Sequence, residues 1–231
     1  MLKLEEIDRL GARDEWLDND VVLLREYTMR KATKTTATWL GVLAGIAGLE
    51  HGYFEFLQGN TPTPGLAFPS WGPPCVPEKI WHACEPAMSI IPNFLLTGLL
   101  AMLLSLALMV WAAWFVQRRH GGWVQMALAV LLLLFGGGFF PPIIGFAGGL
   151  AGTQINRPLA GSPSRLTRLA ARLWPWSLVV FVGWTLGQFL VGHFFNDFLQ
   201  SMMAVSLLVI LTSLPLAVYT AYAHDAVEAS Q

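Results

Sequence analysis

Two pairs of a histidine and a carboxylate carry the clearest chemical pattern in this sequence. The segment HGYFE contains His51 and Glu55, and the segment HFFND contains His193 and Asp197. Residues four positions apart lie on one face of a helix, and histidine and carboxylate side chains are common ligands of zinc and other divalent metals. The spacing therefore predicts a candidate site for a divalent metal cofactor at His51, Glu55, His193 and Asp197.

Glu50 is a second chemical signal, because it lies inside an apolar segment. If that segment ends at Leu57, Glu50 lies roughly 10 Å deeper along a helix. A carboxylate that faces lipid costs several kcal/mol, so we expect Glu50 and His51 to face a neighbouring helix or a water-filled cavity and to carry the function. Further polar side chains fall at a similar height in the predicted bundle and are expected to support this site: Glu55, Asn93, Gln188 and His193.

Structural roles compete with these interpretations. Gln200 follows Asp197 by three residues, which is the spacing of a helix-capping motif, and Glu85 precedes a proline at the predicted start of a helix. The alternative for Glu50 and His51 is a buried structural pair that joins two helices. The sequence contains no nucleotide-binding loop, HExxH motif or serine hydrolase motif, so it assigns no catalytic residue.

The composition is that of a membrane protein. Of the 231 residues, 55% are hydrophobic and 13% are charged, whereas a soluble domain carries about 25% charged residues. A membrane-spanning helix needs roughly 20 mostly apolar residues. The sequence therefore predicts an all-α polytopic transmembrane helix bundle with five long spans, at residues 37–57, 90–116, 123–140, 174–195 and 199–222.

A shorter apolar segment, PPIIGFAGGLAGTQI, follows the third predicted span. Two consecutive prolines remove two backbone donors and disfavour a continuous helix. We therefore expect residues 123–155 to form a helical hairpin that is broken at Pro141 and Pro142. The alternative is one kinked span.

Lysine and arginine residues predict the orientation, because short cytoplasmic loops retain them. With the hairpin, all of the 14 basic residues except Lys79 fall on one side. Both termini and the loop of residues 157–172 are predicted to be cytoplasmic, and residues 59–86 are predicted to lie outside the cell membrane. The net charge of −1 indicates no nucleic-acid partner.

Three regions follow from this organisation. Residues 1–34 combine charged and apolar side chains at helical spacing, which predicts a cytoplasmic amphipathic arm. Residues 35–223 are the predicted transmembrane domain, and residues 224–231 are a short cytoplasmic tail. The outer loop contains both cysteines, Cys75 and Cys84, in the compartment where disulfides persist, and we expect them to be bonded.

The segments GLEHGYFEFLQGN, EPAMSIIPNFLLTG and GGGFFPPIIGFAGGLAGT resemble segments of uncharacterised prokaryotic multi-pass integral membrane proteins. This resemblance implies a small helical membrane protein and carries no activity, cofactor or site residue with it.

The sequence leaves three classes of function open. We expect proton- or ion-coupled handling of a small solute through the Glu50 and His51 site near the outer leaflet. The second class is a membrane enzyme or redox protein that holds a metal at its outer face. The third is a non-catalytic membrane subunit or sensor.

Overall fold

The computed structural model describes residues 29–70, 84–158 and 162–231 and is mainly helical. Within these residues eight helices and one two-stranded sheet follow each other along the chain. Their bounds are α1 Lys31–Leu57, β1 Ala67–Pro69, β2 Pro86–Met88, α2 Phe94–Trp114, α3 Gly121–Leu134, α4 Phe140–Gly152, α5 Arg165–Ala171, α6 Trp176–Phe194, α7 Asn196–Ser201 and α8 Met203–Glu228. The predicted helical class is confirmed. Of the predicted N-terminal arm, residues 1–28 lie outside the described residues.

Three of the described helices, α2, α6 and α8, are long and apolar enough to cross a membrane. The prediction of five long spans is therefore wrong for the described part of the chain. Helices α3 and α4 are apolar but contain only 14 and 13 residues, fewer than the roughly 20 that a bilayer requires. Helix α1 has 27 residues, but its lysine, threonine and glutamate side chains lower its hydropathy.

Helices α3 and α4 form an antiparallel pair that residues 135–139 connect. A Cβ atom on Gly122, at the start of α3, would collide with the backbone nitrogen of Thr153, directly after α4. Pro141 and Pro142 lie in the first turn of α4, where a backbone N–H has no partner within the helix. Residues 123–155 thus form a hairpin and not one kinked span, and the break precedes the two prolines.

A strip of glycines brings α1 close to α2. A Cβ atom on Gly52 would lie 2.8 Å from the carbonyl oxygen of Gly98, and one on Gly45 would lie 2.7 Å from that of Ser105. Small residues at intervals of three and four allow two helix backbones to approach in this way. The strip therefore fixes which face of α1 is turned towards α2.

Helices α6 and α8 form a second antiparallel pair. The Ser177 and Thr220 hydroxyl oxygens lie 2.5 Å apart near one end of the pair, and the Ser206 hydroxyl donates to Gln188 Oε1 over 2.6 Å near the other. A shared cluster of buried side chains joins this pair to α1–α4: Leu40, Leu43, Leu108, Leu132, Ile144, Phe181 and Leu214.

Asp225 connects the last helix to the first. Its carboxylate accepts hydrogen bonds from the backbone nitrogens of Ala32 and Thr33, over 2.9 and 2.8 Å, and from the Thr33 hydroxyl over 2.6 Å. The first N–H groups of a helix have no partner within the helix, and Arg30, which precedes α1, provides no side-chain cap. Helix α8 thus supplies the cap of α1 from within the segment that the sequence predicts as a tail.

The two ends of this bundle differ in charge. We call the end where α1 finishes, α2 starts and residues 135–139 connect α3 to α4 the sheet end, because β1 and β2 lie there. The opposite end is the basic end. All described lysine and arginine residues lie at the basic end: Arg30, Lys31, Lys34, Arg118, Arg119, Arg157, Arg165, Arg168 and Arg172.

Candidate functional site

The sheet end is built from three separate segments of the chain. Strands β1 and β2 pair antiparallel, with Ala67 opposite Met88. The backbone nitrogen of Gly136 donates to the carbonyl oxygen of Met88 over 2.8 Å, and that of Ile90 donates to the carbonyl oxygen of Leu134 over 3.0 Å. The connection between α3 and α4 is therefore attached to the sheet, and both pack against the last turns of α1.

His51 is the centre of a buried hydrogen-bond network. Its side chain is almost fully buried, its Nδ1 lies 2.5 Å from Ser70 Oγ, and its Nε2 lies 3.3 Å from Glu85 Oε2. The Ser70 hydroxyl also donates to the Glu85 carbonyl oxygen over 3.0 Å. A hydroxyl has a single proton, so His51 Nδ1 is the donor to Ser70 in this arrangement. His51 Nε2 and the Glu85 carboxylate then face each other across a gap that a proton can bridge.

Glu55 lies one turn further along α1 and is completely buried. Neither of its carboxylate oxygens makes a hydrogen bond of normal geometry in the described part of the chain, and the Thr97 hydroxyl on α2 lies beside them. Burial of an ionised carboxylate without a partner costs many kcal/mol. Glu55 therefore needs a proton or a cation to balance its charge.

Two glycines of the α3–α4 connection cover these side chains. Gly136 has φ +89°, and a Cβ atom there would overlap Glu55 Oε2 and lie 2.6 Å from Thr97 Oγ1. Gly138 has φ +74°, and a Cβ atom there would lie 2.6 Å from His51 Nε2. Other residues rarely adopt a positive φ, and the space for a side chain is already filled. The connection thus closes over Glu55 and His51 only because glycine occupies both positions.

A cavity of about 60 Å³ adjoins the His51 side of the site, between α1, α4, α6 and α8. Since one water needs about 10–15 Å³ of such volume, a few water molecules or one small solute fit inside. Polar side chains form one part of its wall, namely Glu50, His51, Glu85, Thr185, Gln188 and Ser206, and apolar side chains of α4, α6 and α8 form the rest. Such a mixed lining is typical of a binding pocket.

Of the residues predicted to carry the function, His51, Glu50 and Gln188 line this cavity. Glu50 was expected to carry the function and Glu55 to support it. Glu50 is only half-buried, however, whereas Glu55 is completely buried. Glu55 occupies the α1 face that the glycine strip turns towards α2, so α2 covers it. Asn93 lies outside the site and caps α2: its side chain accepts from the Leu96 nitrogen over 3.2 Å.

The predicted metal site is not assembled. His193 and Asp197 are both exposed, and His193 contacts the neighbouring Phe194 ring, whereas His51 and Glu55 are enclosed by α2 and the α3–α4 connection. Residues on two faces of separate helices meet only if both faces turn inwards, and the face of α6 with His193 turns outwards. The four residues therefore form no common ligand set.

A different group brings its possible ligand atoms within 4.8 Å of one another at the basic end: His224, Asp225 and Glu228. Three hydrogen bonds from the first turn of α1 already occupy the Asp225 carboxylate. Glu228 is exposed and lies 3.9 Å from His224 Nδ1. This group is explained by helix capping and an i, i+4 ion pair, so we assign it no metal.

Ser70, Thr97, Gly136 and Gly138 belong to the site but were not identified as site residues from the sequence, and Glu85 was interpreted as a helix cap. The three segments that resemble other membrane proteins contain all of these except Ser70. Each segment supplies a different wall of the site, which neither spacing nor periodicity could indicate. Cys84, close to Glu85, is disulfide-bonded; Cys75 lies outside the described residues.

The order Ser70, His51, Glu85 is also that of a serine hydrolase triad. Ser70 is completely buried, does not line the cavity, and directs its proton to a backbone carbonyl. A nucleophile must reach a substrate carbonyl and be deprotonated by the histidine. The arrangement therefore suits proton exchange between His51 and Glu85 better than nucleophilic attack.

Comparison with known proteins adds no family to this description. No protein-family model, curated protein or solved structure matches the chain. Its function therefore has to be inferred from the geometry of the sheet end and from the general chemistry of buried ionisable groups.

Proposed function

We propose that this chain is a multi-pass membrane protein that binds and releases a proton or a small cation at Glu55, coupled to the passage of a small solute through the adjoining cavity. His51 and Glu85 exchange protons with the cavity, and Glu55 holds the charge-balancing ion in a site that α2 and the α3–α4 connection seal. Ionisable groups inside helical membrane proteins commonly mark such pathways.

One observation carries the proposal: Glu55 is completely buried, and neither carboxylate oxygen makes a hydrogen bond of normal geometry in the described part of the chain. A structural role is normally accompanied by hydrogen bonds that offset the cost of burying a polar group. A carboxyl group that is buried beside the Thr97 hydroxyl without such hydrogen bonds is suited to binding an ion reversibly.

The distribution of charge supports an orientation for the proposed protein in the cell membrane. Lysine and arginine favour the cytoplasmic side, and all described ones lie at the basic end. Helices α3 and α4 then cross together with α1, α2, α6 and α8, because the bilayer can become locally thinner around short apolar helices. Both termini are cytoplasmic in this arrangement, and the sheet end, with the Glu55 site, faces outwards.

The proposal does not include the alternative of a metal enzyme at the outer face, because His193 and Asp197 are exposed and form no ligand set with His51 and Glu55. The third alternative, a non-catalytic subunit or sensor, does not explain why the Glu55 carboxyl group is buried without hydrogen bonds of normal geometry.

The test is to follow the carboxylic acid signal in the infrared difference spectrum between acidic and alkaline pH, using the protein reconstituted in lipid vesicles. We expect Glu55→Gln to remove one carboxylic acid C=O band, because glutamine keeps the shape of the side chain but cannot titrate. The matched control is Asp197→Asn, which makes the same chemical change at an exposed position of the sheet end. Addition of sodium or lithium ions distinguishes the two occupants, since a bound cation would displace the proton and remove the band.

Proton movement across the vesicle membrane gives the functional readout. In the absence of solute, a potassium diffusion potential drives protons through uncoupled exchange at Glu55, and a trapped pH-sensitive dye reports them. We expect faster proton entry with the parent and the Asp197→Asn variant than with empty vesicles, and entry at the empty-vesicle rate with Glu55→Gln. A Glu55→Gln variant that retains the band and the flux would contradict the proposal.

A further inference from the structure

A cleft at the basic end has no part in the proposed function. It has a volume of about 470 Å³ and lies between the α2–α3 connection, which supplies Arg119 and His120, and the segment after α4, which supplies Asn156 and Arg157. Asn156 Nδ2 donates to the Gln117 carbonyl oxygen over 2.8 Å. This bond ties the two walls of the cleft together, so its shape is formed before any ligand arrives.

The charge of this cleft has one sign. Two arginines and a histidine line it, and no described acidic side chain does. A second cleft at the same end also contains two arginines, Arg168 and Arg172, but Glu228 shares it. Like charges that are held together without a counter-ion favour an anionic ligand, and arginine pairs well with phosphate in particular.

The position of the cleft indicates where that anion comes from. Trp123 forms part of its wall and is 63% exposed, and Trp114, at the end of the neighbouring helix α2, is 65% exposed. Exposed tryptophans in membrane proteins lie at the level of the lipid headgroups. The apolar side chains that follow on the outer surfaces of α3 and α4 are exposed as well, among them Val130, Ile143 and Leu150, and they continue the surface that acyl chains would cover.

We infer that this cleft binds the phosphate-bearing headgroup of an anionic phospholipid, with Arg119 and Arg157 contacting the phosphate and Trp123 packing at the headgroup level. The inference depends on the membrane embedding of the helices and not on the role of Glu55. The tendency of basic residues to stay on one side of a membrane explains their presence at this end. It does not explain why two arginines from different segments share one cleft that no described acidic side chain lines.

Native mass spectrometry of the purified protein tests this inference. The protein is extracted in a mild detergent and given equal amounts of phosphatidylglycerol and phosphatidylcholine. We expect the parent to retain phosphatidylglycerol selectively. Arg119→Gln and Arg157→Gln should each weaken that retention about fivefold, the usual effect of one basic residue near an anionic lipid surface. The matched control is Arg165→Gln, which removes one exposed arginine of the same end that does not line the cleft.

Three results would overturn the inference. Equal retention of the two lipids would show that the cleft does not select an anionic headgroup. The same loss in Arg165→Gln as in the two cleft variants would indicate a diffuse effect of charge. Displacement of the lipid by inorganic phosphate at millimolar concentration would assign the site to a free phosphate compound instead. Thermal unfolding of each variant in detergent confirms that the fold is intact, because all three side chains are exposed.

Discussion

At the scale of single residues, the environment of a side chain decides what its chemistry can do. Glu50 and Glu55 are the same residue type on the same helix, five positions apart, but they face different directions. Glu50 reaches the cavity and is half-buried, whereas Glu55 points at α2 and is completely buried. The cost of an unpaired charge rises steeply as water is removed, so the candidate ion site is Glu55.

The glycine at position 138 gives a prediction for this site. Gly138→Ala should destabilise the protein by about 1–2 kcal/mol from its positive φ alone, and the new methyl group should also push His51 away from Glu85, because it would lie 2.6 Å from Nε2. We expect a lower unfolding temperature in detergent together with a change in the histidine signals of the infrared spectrum.

Gly183→Ala is the matched control for this substitution. Gly183 lies within α6, and a Cβ atom there would meet nothing within 4 Å in the described structure. Alanine is preferred over glycine in a helix by up to about 1 kcal/mol, so this variant should unfold at the same or a higher temperature. Equal unfolding temperatures and unchanged histidine signals in Gly138→Ala would contradict the proposed packing of the α3–α4 connection on His51.

The sequence could identify the polar residues on α1, because the order of residues alone shows an ionisable side chain within an apolar segment. At about 100° per residue along a helix, Glu55 also falls near the edge of the glycine strip. The sequence could not show that Thr97 and Gly136 complete the enclosure, because that depends on how three segments far apart in the chain pack together. The sequence favoured Glu50 over Glu55 as the functional residue because Glu50 lies deeper along α1. Burial is instead determined by the neighbouring helix α2, which covers Glu55.

At the scale of elements, the chain closes on itself through one capping interaction. Asp225, near the end of the last helix, accepts hydrogen bonds from two backbone nitrogens and one hydroxyl in the first turn of α1. A carboxylate at a helix N-terminus is favoured both by these bonds and by the helix dipole. Helix α1 carries Glu50, His51 and Glu55 towards its other end. The Asp225 cap therefore helps to hold in place the helix that carries the site.

We predict that Asp225→Ala weakens this connection. A lost N-cap costs about 0.5–2 kcal/mol, and the buried Thr33 hydroxyl loses its acceptor in addition. The unfolding temperature in detergent should fall, and the backbone amides of Ala32 and Thr33 should exchange with deuterium faster. Glu228→Ala, on the same helix at an exposed position, should leave both measurements unchanged. Unaltered exchange in Asp225→Ala would mean that the cap does not stabilise α1.

The elements were predicted with mixed success for physical reasons. Apolar length located α2, α6 and α8, and the double proline indicated the break between α3 and α4. Hydropathy overstated the length of α3, because apolar residues continue past Leu134, where the helix ends, into the connection that contains Gly136 and Gly138. The cap from Asp225 to α1 could not be predicted, since it joins residues about 190 positions apart whose types are common in any surface helix.

At the scale of the whole molecule, charge and chemistry are separated along the bundle. The described basic residues all lie at one end, and the Glu55 site lies at the other. In the proposed orientation the Glu55 site lies near the outer surface, and a protein that takes up an ion there needs a conformational change to release it inwards. The contact between the α6–α8 pair and α1–α4, where the cavity lies, is the natural place for that change.

The orientation itself can be tested with single cysteines in a background in which Cys75 and Cys84 are replaced by serine. Pro64→Cys places a thiol at an exposed position of the sheet end, and Ser162→Cys places one at an exposed position of the basic end. The positive-inside rule predicts that an impermeant thiol reagent added to intact cells labels the first and not the second. Both should react once the membrane is permeabilised, which serves as the control for reactivity.

Labelling of Ser162→Cys alone from outside would mean that the bundle has the opposite orientation and that the Glu55 site lies at the cytoplasmic face. Labelling of both in intact cells would mean that the two ends do not lie on opposite sides of the membrane, and the antiparallel α3–α4 pair would then not cross it.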